Sequence, residues 1–310
     1  MSMVDQGHKG RDMTPPRILL FGQNGQVAFE LQRTLSTLGE LHVVGRNTTP
    51  HSADLTSPDA IRQAIRSVSP QIIVNAAAYT AVDAAEEDRE TAERVNAIAP
   101  GVMAEAAREL DALLVHYSTD YVFDGTGNRP YTEDDEPRPL GVYGETKRAG
   151  EKAIQESGAA HLIFRTAWVY GNRGKNFLKT IQRLASEREE LRIVIDQFGA
   201  PTWSRMIAEA TAQVLAQGSN NADYLRERQG IYHLTNAGQG TWYDFAQAVV
   251  KAMDPETRVA KTIEPIGTEA FPTPAERPKY SVLSNEKLAR NFGIHLPDWQ
   301  DALALCLGES

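Results

Sequence analysis

The sequence predicts an α/β fold: a doubly wound parallel sheet followed by a smaller, mixed α/β C-terminal part. Two observations predict it. From Arg17 onward, short apolar runs alternate with segments of helical period in the order β-α-β-α-β. Those runs are continuous in Val, Ile and Leu, the pattern of strands covered by helices on both faces.

Taken in order, RILLFG (17–22) reads as a strand, VAFELQRTLSTLG (27–39) as a helix, LHVVG (41–45) as a strand, PDAIRQAIRSV (58–68) as a helix and QIIVNAAA (71–78) as a third strand. A helix follows around 93–111, a strand in ALLVHYSTDYVF (112–123), a polar loop from Asp124 to Leu140, a helix beginning in GVYGETKRAGEK (141–152) and a strand in HLIFRTAWVYG (161–171). Beyond that the periods shorten. Residues 17–170 are expected to form a dinucleotide-binding domain of Rossmann type, and 171–310 a smaller substrate domain whose helix at about 204–217 packs back on the first. Residues 1–16 are polar, contain two prolines and lack an apolar run, so they are expected to be a disordered lead.

At 310 residues and 41% hydrophobic content, the chain can bury a substantial core. Its formal charge of −9 argues against nucleic acid as a partner, since such binding draws on a basic face. The single cysteine, Cys306, offers no internal disulfide, which points to a reducing compartment, the cytoplasm. No stretch approaches a membrane span, and the seven histidines show no metal-binding spacing, so neither a membrane nor a metal is expected. A monomer or homodimer is expected.

Between the first strand and helix, FGQNGQVAFEL sets Gly22, Gly25 and Ala28 in a G-x-x-G-x-x-A spacing. Small residues there allow a tight turn and close approach of a pyrophosphate, which the amides of Asn24, Gly25, Gln26 and Val27 and the helix start can hold. The second strand ends in Val44-Gly45-Arg46, without the acid that would bind a ribose 2′-hydroxyl. Arg46 there is either a 2′-phosphate ligand or a plain solvated residue, so NADPH is expected with NADH also open. Asp54 and Leu55 flank the adenine, unless Asp54 simply caps a helix. Ala76, Ala77, Ala78 and Tyr79 end the third strand with side chains small enough for a nucleotide to lie on the sheet edge, while Glu86, Glu87 and Asp88 read as a solvated helix face.

In Y-G-E-T-K, Tyr143 and Lys147 are four residues apart and share a helix face. A nearby ammonium would bring the phenol's pKa down from about 10 toward neutrality. Lys147 can also hold the nicotinamide ribose, and Thr119, at the end of HYSTDYVFDG, can fix a carbonyl oxygen. Tyr117 is placed with the cofactor set. His116, on the same strand, reads as a core residue.

These motifs in this order resemble the extended short-chain dehydrogenase/reductase superfamily. More narrowly, LLFGQNGQVAFELQ, IIVNAAAYTAVDAAE, VHYSTDYVFDG, VYGETKRAGEKA, LIFRTAWVYG, DQFGAPT and TWYDFA resemble the dTDP-4-dehydrorhamnose reductase family from about Arg17 to the C-terminus. The resemblance implies reduction of the C4 ketone of dTDP-4-dehydro-β-L-rhamnose, the last step of dTDP-L-rhamnose synthesis. It implies Tyr143 as general acid, Lys147 as its tuner and ribose ligand, Thr119 and Asp120 as substrate contacts, and Trp168 as the sugar-site tryptophan, whose indole can stack on a pyranose face and offer its N–H. The loop 171–177 with Asn176, together with Gln197 and Arg277, is assigned to the nucleotide diphosphate. Some family members join dimers through magnesium held by glutamates; Glu30 matches one, but Arg205 stands where another is expected, so no metal bridge is predicted. Two other readings stay open: a nucleotide-sugar epimerase or dehydratase that retains NAD, and a non-catalytic subunit of the same fold.

Overall fold

Strand β1 (Arg17–Phe21) lies between β2 (Glu40–Val44) and β3 (Ile72–Asn75), parallel to both. A computed structural model gives this architecture and describes residues 14–218 and 222–308; most of the lead expected at 1–16 lies outside the described residues. Helix α1 (Gln26–Leu35) follows β1, α2 (Pro58–Val68) follows β2, and α3 (Val82–Glu87), α4 (Arg89–Glu93) and α5 (Ala99–Glu109) separate β3 from β4 (Leu113–Thr119). Then come α6 (Val142–Glu156), β5 (His161–Thr166), β6 (Val169–Tyr170), α7 (Phe177–Glu187), β7 (Glu190–Val194), β8 (Phe198–Gly199) and β9 (Thr202–Trp203). The chain finishes with α8 (Ser204–Gln217), α9 (Ala222–Glu227), β10 (Gly230–His233), β11 (Gly240–Thr241), α10 (Trp242–Ala252), β12 (Thr262–Ile266), α11 (Glu286–Phe292) and α12 (Trp299–Gly308).

The main sheet has six strands in the order β10-β5-β4-β3-β1-β2, all parallel. From β1 the chain moves outward to β2, then returns past β1 to build β3, β4 and β5. This reversal makes a switch point beside β1, and a crevice opens there beyond the strands' carboxyl ends. The apolar runs split by residue parity. Ile18, Leu20, Val74, Val115 and Phe164 face α1, α8 and α11, whereas Leu19, Phe21, Ile73, Leu114 and Ile163 face α2, α5 and α6. Two covered faces leave no solvent-facing side in these strands, hence the Val/Ile/Leu runs, with polar residues such as Asn75, Thr119 and Thr166 at the carboxyl ends.

Helix α8 packs along α1, joined also by Thr34 Oγ1 donating to the Ala208 carbonyl (3.3 Å). The sixth strand, β10, lies far beyond residue 171, where the sequence sets the start of the second part. A third apolar cluster around Tyr170, Ile181, Phe245, Val249, Trp299 and Leu303 is the core of the smaller part, which carries two-stranded ribbons β7–β12 and β8–β11.

The helix expected around 93–111 is interrupted. Residues Arg94–Ile98 form a π-turn, and this extra-wide turn turns Asn96 inward, where its side chain bonds both the N–H (2.9 Å) and C=O (3.0 Å) of Tyr79. Glu86 also departs from the solvated face predicted for it. Its Oε1 accepts from the Val142 amide (2.9 Å) and caps α6, whose own N-cap residue, Gly141, has no side chain to do so.

Candidate active site

The crevice at the switch point holds a cleft of about 990 Å³. Its floor is the turn after β1. Gly22 has φ +113, and a Cβ there would lie 3.1 Å from Ala28 Cβ and 3.3 Å from the Ala76 carbonyl, so a side chain would fill the space where β1, α1 and the end of β3 meet. Gly25 then begins α1, leaving the first-turn amides of the helix directed at the cleft. Asn24, Gln26, Val27, Arg46, Asp54, Leu55, Ala76, Ala77, Ala78, Tyr79 and Tyr117 line the same cleft with Gly22 and Gly25. Arg46 is 74% exposed and reaches Asp54 (3.2 Å) at the rim. Asp54 does not cap α2, which Ser57 does; it accepts from Thr56 N (2.9 Å) and Oγ1 (2.8 Å), and these bonds, with Arg46, hold its carboxyl below the usual range.

Thr119, Asp120, Tyr143 and Lys147 line the same cleft. Thr119 ends β4. Its Oγ1 accepts from Tyr121 N (3.2 Å) and donates to Asp120 Oδ1 (3.0 Å), whose other oxygen accepts from Ser281 Oγ (2.6 Å). Burial pushes the Asp120 carboxyl up to about 6 even though these bonds oppose it. The Tyr143 ring packs edge-on to Tyr121, with centroids 5.8 Å apart. Its phenol is pushed up to about 12 by burial, with a hydrogen bond to Thr119 pulling the other way.

This corrects the expected effect of Lys147. Its Nζ donates to the Tyr117 carbonyl (2.6 Å) and meets His116 Nε2 (3.3 Å), so its charge serves β4 rather than the phenol; burial lowers Lys147 to about 8. His116 is buried as predicted, behind the cleft lining, its Nδ1 3.0 Å from Asn75 Nδ2 and its pKa held well down by burial and Lys147. One helical turn past Lys147, Glu151 binds Arg165 of β5 through two bonds (2.8 and 2.7 Å) in the interior.

The remaining predicted residues divide. Trp168 lines the cleft, with φ +46 and its indole stacked on Trp242 at 3.5 Å. Asn176 caps α7 by accepting from Lys179 N (3.0 Å), and its Nδ2 donates to Gln26 Oε1 (2.8 Å) and the Gly171 carbonyl (2.8 Å). Gln197 bonds Trp242 Nε1 and Thr268 Oγ1, each at 3.1 Å. Arg277 forms two bonds to Asp83 of α3 (3.0 and 2.7 Å). These three have protein partners and lie off the cleft wall, where the loop they were grouped with contributes Gly174 and Lys175 instead. Sequence reading missed Ser281 and Trp242. Only TWYDFA, read as a whole motif, pointed toward the latter. Away from the cleft, Glu30, Arg33, Glu209 and Arg205 form a chain of alternating charge across α1 and α8, with contacts of 2.9, 3.8 and 3.1 Å.

Comparison with known proteins agrees with this geometry. The family model described as RmlD substrate binding domain matches residues 16–310. A dTDP-4-dehydrorhamnose reductase of Burkholderia thailandensis is 49% identical over 295 residues, covering 94% of this chain and 98% of the relative. One of Escherichia coli strain K12 is 48% identical, with 94% and 97% covered. The crystal structure of the Bacillus anthracis dTDP-4-dehydrorhamnose reductase in complex with NADP superposes with a TM-score of 0.85 at 33% identity, over 96% of this chain and 100% of that one. Matched along nearly its whole length by model, relatives and structure alike, the chain belongs to the dTDP-4-dehydrorhamnose reductase family.

Proposed function

We propose that this chain reduces the C4 ketone of dTDP-4-dehydro-β-L-rhamnose to dTDP-β-L-rhamnose, with NADPH as reductant and NADH as an alternative. The observation that carries the reading is the meeting, in the lining of one cleft, of the glycine turn with Thr119, Tyr143 and Lys147. The cradle at Gly22 fits a dinucleotide pyrophosphate, and the buried Thr166 Oγ1 on the cleft wall has no partner among the described residues, which suits a polar ligand. When bound, the dihydronicotinamide supplies the hydride.

Tyr143 is the proton donor. A phenol at about 12 is wholly protonated at neutral pH, so it is ready to deliver a proton to an oxygen that becomes strongly basic as the ketone is reduced. Thr119 has one hydroxyl proton, which it gives to Asp120 Oδ1, so it orients the carbonyl by turning that proton to the ketone oxygen. Lys147, anchored on the Tyr117 carbonyl, stands where ribose hydroxyls are held. Arg46 takes the 2′-phosphate. Asn176 acts indirectly, by fastening the 171–176 loop to Gln26, and Gln197 and Arg277 support the substrate side from behind the wall. Residues 171–203 and the segments that share their apolar core form the substrate side of the molecule. Among the described residues no helix is long and apolar enough to cross a membrane, and we place the reaction in the cytoplasm.

Purified protein with dTDP-4-dehydrorhamnose and NADPH should lose NADPH absorbance and yield dTDP-rhamnose. Unchanged NADPH with an altered sugar would instead indicate an epimerase or dehydratase, and no change in either would defeat the enzyme reading. Tyr143→Phe should lower turnover by about 10²–10⁴-fold while NADPH binding, followed by fluorescence, stays near wild type.

A further inference from the structure

Trp168 is held in a way that decides which part of its indole the cleft can use. On one side, Trp242 lies parallel at a 6° interplanar angle with centroids 3.5 Å apart, which covers that face. On the other side stands Gly199. A Cβ built on it would be 2.4 Å from Trp168 Cε2 and 2.7 Å from both neighbouring atoms, Cζ2 and Nε1. An in-plane approach to Cε2 would bring those two neighbours closer than Cε2 itself; their greater distance places Gly199 over the ring. Trp242 lies over one face, so Gly199 stands over the opposite one, at its Cε2 side. A pyranose would find one face taken by Trp242 and the other obstructed near the ring fusion, which opposes stacking.

Both jaws of this clamp belong to one ribbon. Gly199 of β8 pairs with Gly240 of β11, and Trp242 follows Thr241 at the start of α10. Trp242 is itself fixed: its Nε1 donates to Gln197 Oε1, and Phe177 packs on it at 4.6 Å. Trp168 meanwhile keeps a left-handed backbone, which a non-glycine residue adopts only where its surroundings impose it.

We propose that Trp242 and Gly199 are positioning residues that clamp the Trp168 indole so that it meets the keto-sugar with its edge rather than a face. This rests on the reductase reading given above. It also assigns Gln197 a role, that of locking the outer jaw.

The test compares Trp242→Ala, Trp242→Phe and Gly199→Ala with wild type, using steady-state kinetics with dTDP-4-dehydrorhamnose and NADPH, NADPH binding, and the circular-dichroism couplet of stacked indoles. Trp242→Ala should abolish the couplet and raise KM for the sugar nucleotide about tenfold or more, with the NADPH dissociation constant unchanged and Trp242→Phe recovering much of the loss. Gly199→Ala, acting on the opposite face, should raise the same KM, and it carries the test should Trp242→Ala fail to fold. The proposal is overturned by wild-type KM in the folded variants, or by a wild-type couplet that vanishes on saturation with the sugar nucleotide, which would make Trp242 a cover that leaves. Normal wild-type turnover beside either result confines the failure to the clamp. An inactive wild type would instead remove the reductase reading and the clamp with it.

Discussion

Tyr143 and Lys147 share a helix face, yet the structure gives them separate environments. Two of the ammonium's contacts hold it on β4, and burial sets the phenol high, so the tyrosine keeps its proton at neutral pH, as the proposed donor must. Asp120 shows the same dominance of desolvation. Its carboxyl titrates near 6 in the folded protein against 3.8 for the ordinary group, so between these values the folded state holds a proton that the unfolded state has lost. The stability associated with that proton is full below about pH 4 and declines as pH rises to 6, by an amount on the order of 3 kcal/mol. Asp120→Asn has no such titration. Denaturant unfolding at pH 4 and pH 7 should therefore show the variant gaining on wild type at the higher pH, and parallel profiles would contradict the raised value. Arg46 allows a different check. Among the described residues its exposed guanidinium pairs with Asp54 at the rim, so Arg46→Ala should weaken NADPH binding more than NADH binding in fluorescence titrations, and equal losses would remove the proposed phosphate role.

At the scale of elements, α6 carries the proposed Tyr143 and Lys147, and it is pinned near its start and in its third turn. Glu86 caps its first turn from α3, and Glu151 ties its third turn to Arg165 on β5. The second contact is wholly interior, with side chains 1% and 0% exposed. Removing one partner strands the other's charge away from water, so Glu151→Ala should lose about 3–5 kcal/mol in denaturant unfolding. Deleting the exposed Arg183–Glu187 pair should cost well under about 1 kcal/mol in the same measurement. That α6 exists, and where it begins, was legible from Y-G-E-T-K and the helical period. Its anchors were not. Glu86 lies 56 residues before the amide it caps and sits in a run of acids that reads as surface. The π-turn was equally invisible, because residues 94–98 carry an ordinary helical pattern and only the approach of Tyr79 reveals why Asn96 turns inward.

Across the whole molecule, the C-terminal third returns to the cleft residues: Trp242 stacks on Trp168, and Ser281 orients Asp120. Behind the cleft lining, Arg277 grips Asp83 on the helix after the third strand, a contact that joins segments 194 residues apart. If it works as a single fastening, Arg277→Ala and Asp83→Ala should each raise KM for the sugar nucleotide several-fold, and the double variant should add little to either. Additive losses would show two independent roles. The same return of the chain explains why the boundary placed at residue 171 does not follow the sheet: β10 closes the main sheet only after the smaller part has begun, with α8 already packed on α1.

By itself, the sequence determined what depends on near neighbours: the apolar strand runs of a sheet covered on both sides, the small residues of the first turn, and a tyrosine and lysine one helical turn apart. Each is a pattern over a few residues, with spacing imposed by backbone geometry. The tertiary structure alone decided how each ionisable group is poised and which face of each ring is available. Those properties follow from desolvation and from contacts made across the fold: Lys147 with His116 at 31 residues' separation, Asp120 with Ser281 at 161, and Trp168 held between Gly199 and Trp242. No local pattern encodes such contacts, because they exist only once the chain has brought distant segments together and excluded the water between them.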